Sequence, residues 1–431
     1  MFARLGNRKG MALVLVFGII SVLLVFVATF MTTSIGQNIS SEIFRRRTKA
    51  FNLAEAGLDH AIIWLRAQGA PPVGNMTNPW GGIEEVGGGY YNVTITDLGA
   101  IGASGSIRRY RVASQGVFKN SRRTLSNLVQ VDNYARYLWF TDRETFSGTN
   151  VWFWSSDRLN GPTHTNTHFN IALNPIFEGE VRSVDPYIRF YNNGNNVNLP
   201  QLSNAPFDLP VFQQGVDFGI DPITMPSQAL SLRAAATDNG LSLRGDTTVV
   251  LRNDGTMNVT NARRDWVNQN MPLPANGALF VTRGSLTVSG TLNGQLTVGA
   301  ARDIIIPDNI VYADNPIVNP QSDDVLGIIA ERDVVIDNSA PQDLEINGCV
   351  MAMDTSFMME DWWIGPPKGV LTVLGGIIQD ERGPVGTFNG FNGQKVSGYS
   401  KNYRYDSRLL TNPPPFMPTT GDYVTLSWEE R

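Results

Sequence analysis

The sequence is poor in the residues that reactive sites are usually built from. Of 431 residues one is cysteine, Cys349, and three are histidine: His60, His164 and His168. A lone cysteine closes no disulfide within the chain, and with no CxxC pair or Cys/His group it offers no zinc framework. Cys349 lies in the apolar string "INGCVMAM", which favours a buried thiol over a bridge between chains. Charge is sparse too. Asp, Glu, Lys and Arg make up 17% of the chain, the net charge is -5, and there is no long run of one sign, so no nucleic-acid partner is expected. The only obvious basic cluster is "FRRRTK", Phe44 to Lys49. No HExxH, GxSxG, Walker or dinucleotide-binding motif occurs, so no catalytic residue and no cofactor is expected. His164 and His168 would lie about 13 Å apart on a strand, too far to share a metal. Asp323 and Asp324, with Asp314 nearby, offer carboxylates for calcium, a reading weakened by the missing Asp-x-Asp-x-Asp-Gly loop; the alternative is a solvated turn.

What is present begins with a short basic leader, including Arg4, Arg8 and Lys9, that runs into the uncharged stretch Met11 to Phe30. That stretch, which includes Leu15 and Gly18, is long enough to cross a hydrocarbon core of ~30 Å as a helix. It exceeds the roughly 7–15 apolar residues of a secretory signal. No proline or glycine cluster follows it, and Phe44, Phe51, Leu58, Ile62 and Leu65 recur at near-helical spacing. One continuous helix over 11–66 is therefore expected, on the order of 80 Å long, with its membrane span at 11–30. Basic residues ahead of the span place the short N-terminus in the cytoplasm and the remainder outside.

A basic leader ending in Gly10, an uncut apolar helix from Met11, and "AFNLAEAGLDHAIIWLR" further along resemble the N-terminus of type IV pilins, and of PilX-type minor pilins most closely. The resemblance implies a leader at 1–10, cleavage by prepilin peptidase between Gly10 and Met11, and methylation of the new N-terminus. It also implies that the helix packs among those of other pilin or pseudopilin subunits. Leu53, Ala54, Glu55, Ala56 and Gly57 form the LAEAG segment, whose small residues allow close packing. Glu55 is read either as an acceptor for a partner's cation or as a solvated side chain. The sequence departs from the family's pattern at Leu15, where most major pilins carry Glu at the fifth mature position. A subunit lacking that carboxylate, like the pseudopilin at the tip of type II secretion filaments, is expected to enter at or near the tip.

Gln68 to Gly82, with Pro71 and Pro72, ends the helix. The alternating strings "YYNVTITDL", "IRRYRVASQGVF" and "RRTLSNLVQV" then predict a small antiparallel sheet over 84–133. From 134 to 431 short β-rich runs such as "DIII", "GIIA" and "DVVI" alternate with Gly, Asn or Asp turns. Apolar residues at adjacent positions favour strands stacked as coils of a parallel β-helix, and Leu286, Val288, Ile304, Ile306, Val334 and Ile336 are expected in a shared core. A β-sandwich is the alternative. Strings including "GPTHTN", "DDVLGIIAERDVVI" and "GGIIQDERGPVGTF" resemble an uncharacterised extracellular domain found behind PilX-type N-termini. The C-terminal stretch, with Pro413 to Pro415, is read as an extended arm strapped along this domain.

The fold class expected is thus α+β: a long helix with a small sheet, then a predominantly β domain. The expected function is that of a minor pilin or pseudopilin-like structural subunit, not an enzyme. It would be held in the bacterial cytoplasmic membrane by a single pass before joining a periplasmic or extracellular filament, with roles in assembly priming, adhesion or cargo contact. Trp152 and Trp154 read as caps of the β core; Trp362 and Trp363 in "MEDWWIGPP" read as contacts for a partner, with a surface or carbohydrate ligand in view. The alternative function is a membrane-anchored envelope enzyme using a β-helix cleft on carbohydrate, with Asp380, Glu381 and Arg382 as its candidate groove.

Overall fold

The computed structural model describes residues 8–68, 71–101, 107–155, 157–200, 203–389 and 393–430. The chain forms two compact units, one of Met1–Leu98, Tyr110–Val129 and Thr425–Arg431, the other of Gly99–Arg109 and Gln130–Val424.

The first unit is built on helix α1, Arg8–Arg66, 59 residues without a break and on the order of 90 Å long. Nothing in it lacks an amide hydrogen or forces a kink, and the first prolines come only after it, at Pro71 and Pro72. Gln68 Nε2 donates to the Trp64 carbonyl at 2.8 Å, satisfying one of the acceptors that a helix end leaves open. The N-terminal part of α1 is apolar and exposed around its circumference. Leu13, Leu15, Phe17, Phe26 and Phe30 are each more than half exposed. Its hydroxyls are satisfied locally: Ser21 Oγ donates to the Phe17 carbonyl at 2.9 Å, and Thr29 Oγ1 to the Val25 carbonyl at 2.8 Å. Such back-bonding lets polar side chains sit in a segment that offers them no other partner.

Burial begins at Ala50. Ala50, Leu53, Ala54, Leu58, Ala61 and Leu65 are buried at steps of one, three and four residues, which is one helical face. Phe44, expected on that face, is 72% exposed, because the sheet contact starts a turn and a half later. The sheet is six-stranded, in the order Met76–Thr77, Gly89–Ile101, Ile107–Phe118, Ser121–Asn133 and Thr419–Glu430, with Glu84–Val86 also paired to Gly89–Ile101. Tyr91, Val93 and Ile95 alternate inward as expected. The last strand differs from the sequence reading. Thr419–Glu430 is the edge strand of this sheet rather than part of an arm, and Trp428 lies 6.4 Å from Phe51, ring centre to ring centre.

The second unit is mostly β, and its pairing is overwhelmingly parallel within a 23-stranded sheet. Three columns of paired residues describe it. One runs Thr247, Leu286, Ile304, Val334, Phe357. A second runs Gly290, Ile310, Ile346, Val373, Tyr403, Leu159, Phe177, Phe212. The third runs Leu243, Val281, Ala300, Ala330, Ala352, Gln379, then Thr141, Thr165, Ser183, Phe218. In the last two columns the chain order is broken: strands from the start of the unit follow strands from its end. Leu286, Val288, Ile304, Ile306, Val334 and Ile336 are all fully buried in one cluster.

Helix α2, Leu230–Thr237, packs Leu232 and Ala236 against Ala278 and Phe280. Pro414 and Pro415 do lie along the β unit. Thr297 Oγ1 donates to the Pro415 carbonyl, and Gly327, where a Cβ would come within 3.0 Å of Pro414, keeps that approach open. Meanders are local exceptions, as in Thr247–Leu251, Thr256–Asn261 and Trp266–Pro272, which pair antiparallel.

In the LAEAG segment Ala54 and Gly57 face the sheet. A Cβ on Gly57 would overlap Ser114 Oγ and meet the Tyr91 ring at 2.9 Å. Opposite, a Cβ on Gly116 would overlap the Ala50 carbonyl oxygen and the Ala54 amide nitrogen, backbone atoms that cannot step aside. Glu55 and Ala56 face solvent. Gly116→Ala should therefore destabilise the first unit by about 2–3 kcal/mol. Gly18→Ala, where nothing lies within 4 Å, should leave the thermal unfolding midpoint unchanged. Equal midpoints for the two variants would contradict the close approach.

Candidate functional site

Two places carry the chemistry that the sequence singled out. The first is the start of α1. The Gly10–Met11 peptide lies in its first turns, and Gly10 is exposed. Leu15 is 61% and Phe30 75% exposed, and Gly18 has no neighbour within 4 Å. Among the described residues this is the one helix long and apolar enough to cross a membrane. Arg4 lies outside the described residues.

The second is an aromatic cleft of about 420 Å³ in the larger unit, walled by Phe146, Trp152, Trp154, Trp362, Val385 and Phe388. Trp154 and Phe388 are nearly parallel, 16° between planes with centres 6.4 Å apart. Phe146 meets Trp362 edge-on at 6.3 Å. Trp362 and Trp363, adjacent in sequence, part company here. Trp362 lines the cleft, whereas Trp363 is 56% exposed and outside it. Trp152 and Trp154 form part of the same wall. Among the described residues the indole N–H groups of Trp154 and Trp362 have no hydrogen-bond acceptor, and both nitrogens are shielded from solvent. Ser147, Thr149 and Asn150 add polar groups to the lining.

Close to this cleft sits a buried group of charges. The Arg382 guanidinium lies over the Phe153 ring, 3.5 Å from its centre. Its Nη1 donates to Glu144 Oε2 at 2.9 Å and to the Val151 carbonyl at 3.1 Å, and its Nη2 to the Trp152 carbonyl at 3.0 Å. Lys401 Nζ, at the cleft wall, donates to Asp157 Oδ2 at 2.8 Å. Burial pushes the Lys401 ammonium below its usual range, and the Asp157 carboxylate opposes that shift. Two cations and two carboxylates thus balance, which is what makes buried charge tolerable. Arg382 anchors the segment that presents Trp152, and neighbouring positions in "IIQDERGP" did not reveal that role. Asp380 is paired with Arg143, and Glu381 accepts the Ser147 amide at 3.0 Å.

The remaining candidates are occupied locally. Asp324 accepts the Gly294 amide at 2.6 Å and the Asp314 amide at 2.8 Å, so its carboxylate closes a turn. Among the described residues no group of His, Cys, Asp and Glu has the makings of a metal site. His168 Nδ1 is 2.8 Å from Asp185 Oδ2, and His60 Nδ1 is 2.8 Å from the Tyr91 hydroxyl. His164 is fully buried, stacked on Phe140, and 2.8 Å from Asn166 Oδ1. Cys349 is buried, and burial pushes its thiol far above the usual range.

A family model described as a domain of unknown function (DUF4900) matches residues 90–185. No curated protein matches the chain. Among solved structures, the competence-associated pilin ComZ from Thermus thermophilus aligns with 90% of this chain and 97% of its own, at 12% identity and a TM-score of 0.30.

Burial lowers the pKa of His164 from 6.5 to about 4, against a hydrogen bond that its Nε2–H donates to Asn166 Oδ1, which raises it. Between those values the unfolded chain binds a proton that the folded chain refuses. Stability should therefore be full above pH 6.5 and fall as pH drops toward 4, by on the order of 3 kcal/mol from this group. Denaturant unfolding at pH 7 and pH 4.5 checks this. Wild type should lose more stability between the two than His164→Gln, and equal losses would contradict the assignment.

Proposed function

We propose that this chain is a pilin-like structural subunit whose α1 helix enters the core of a type IV pilus or a related secretion filament. One observation carries the reading. The helix is continuous, yet its N-terminal part presents apolar side chains in all directions while its C-terminal part is packed on a small sheet. A simple anchor needs only the ~20 residues that span a bilayer. Here the uncovered apolar positions run on past the span to Ile35, Ile39, Ile43 and Phe44, as helix-to-helix packing would use.

On this reading the subunit waits in the cytoplasmic membrane with its N-terminus inside. Prepilin peptidase cuts after Gly10, and Met11 becomes the methylated first residue. The LAEAG segment and the PilX-type resemblance support a minor pilin, and Leu15 supports a place at or near the tip. The parallel columns support reading the larger unit as a β-helix displayed outward, for assembly priming, adhesion or cargo contact. The chain has no catalysis of its own in this proposal. Asp380 and Glu381 are engaged by Arg143 and Ser147, which gives a carbohydrate-cleaving groove no support.

Gly10→Val should leave a longer, unprocessed chain in membranes of cells with active prepilin peptidase, whereas wild type should begin at Met11 by mass spectrometry. An intact Met1 on the wild-type chain would overturn the processing step. Leu15→Glu should leave insertion nearly unaffected, since a charge near the end of the span reaches the interface. It should also raise the copy number per filament. Immunogold labels scattered along wild-type shafts, with no excess at the ends, would contradict the tip assignment.

A further inference from the structure

The aromatic cleft of the larger unit has a composition that specifies a ligand class. Its walls offer the faces and edges of five aromatic rings, which suit a ligand with apolar C–H surfaces. The net charge of the buried group beside it is zero, because Arg382 and Lys401 are matched by Glu144 and Asp157. An anionic ligand would meet no surplus cation there, and Asp380 and Glu381 share the single cation of Arg143 beside Ser147. The polar side chains of Ser147, Thr149 and Asn150 stand at the lining, and each can both donate and accept. A purely aliphatic ligand would strip water from these side chains without replacing its hydrogen bonds, at about 1–3 kcal/mol each. A ligand rich in hydroxyl and ether oxygens supplies both donors and acceptors to replace that water.

We propose that this cleft binds a neutral glycan, with pyranose C–H faces against Trp362 and its neighbouring rings and sugar hydroxyls meeting Ser147, Thr149 and Asn150. Its volume of about 420 Å³ falls in the range of ordinary small-ligand sites and accommodates roughly one or two pyranose rings. The five rings come from three stretches far apart in the chain, 146–154, 362 and 388, and the Arg382 contacts to the Val151 and Trp152 carbonyls hold the first of these in place. The assignment concerns the larger unit alone and stands whether or not the chain enters a filament.

The full chain, held in a polyoxyethylene detergent so that no sugar headgroup competes, can be titrated by tryptophan fluorescence and calorimetry. Maltotriose, cellotriose and chitotriose are the neutral probes, trigalacturonate is the anionic one, and a Pro/Trp-containing hexapeptide tests the competing class. At least one neutral trisaccharide should bind. Trp362→Ala should weaken it about tenfold or more, Trp362→Phe, which keeps an aromatic face, several-fold less, and Trp363→Ala about twofold at most. Matching thermal unfolding of wild type and Trp362→Phe separates lost binding from lost fold. No binding of any neutral probe at about 10 mM would overturn the proposal. So would binding of trigalacturonate or the peptide alone, or undiminished binding by a folded Trp362→Ala.

Discussion

An apolar helix surface with nothing in its own unit to cover it is the constraint on which the rest depends. From Leu13 to Phe44 α1 shows Leu, Val, Ile and Phe side chains on every side. Exposed apolar patches beyond a few hundred Å² mark surfaces meant for lipid or for another protein. The hydroxyls of Ser21, Thr29, Thr32 and Thr33 are consistent with that demand, since each bonds to a carbonyl one turn back and needs no water. Below this stretch the helix changes character. Ala50, Ala54, Gly57 and Ala61 bring its backbone down onto the strands, with Gly116 opposite. Close backbone contact makes the sheet a rigid collar on the helix, so a force on one would be transmitted to the other.

The larger unit answers a different problem, how to bury many short β runs without long edges. Parallel strands bury both faces, and adjacent apolar residues such as Ile328 and Ile329 are both fully buried. The break in chain order has an energetic consequence. Pairing of Trp139–Arg143 with Pro367–Glu381 joins residues more than two hundred positions apart. Arg382 is buried between Glu144, Asp157 and the Phe153 ring, close to that junction in sequence on both sides. Contacts of such separation form late, because loop closure must precede them. The aromatic cleft is lined by residues that follow these two strands, 146–154 and 383–388, together with Trp362, so it is complete only when the ends of the unit have met.

Much of this was legible in the sequence, for physical reasons that also explain the rest. A charge-free run of helical length and a near-helical stripe made α1 plain, and alternation made the strands around Tyr91, Val93 and Ile95 plain. Runs such as "GIIA" signalled strands buried on both faces, as Ile328 and Ile329 are, although in "DVVI" the middle residue, Val335, stays partly exposed. Thr419–Glu430 escaped because an edge strand with most residues partly exposed carries little periodicity. Phe44 was misplaced because helical spacing gives a face but not the residue at which a partner begins. Helix α2 was not anticipated: it is short and has no side-chain N-cap bond. Among candidate site residues, the aromatic strings were visible, but not that Trp152, Trp154 and Trp362 share one wall. Nor could spacing reveal that Arg382 is buried, since its partners Glu144 and Asp157 lie far off in sequence.

The claim that other pilin-like helices cover α1 can be tested at Phe26, 69% exposed in the middle of the apolar stretch. A photo-activated amino acid placed there can be crosslinked in membranes and, separately, in sheared and purified filaments. In filaments the expected product is a covalent pair with the apolar helix of another pilin subunit. Crosslinks to lipid alone, with the chain absent from the filament fraction, would contradict the claim and leave α1 as an anchor.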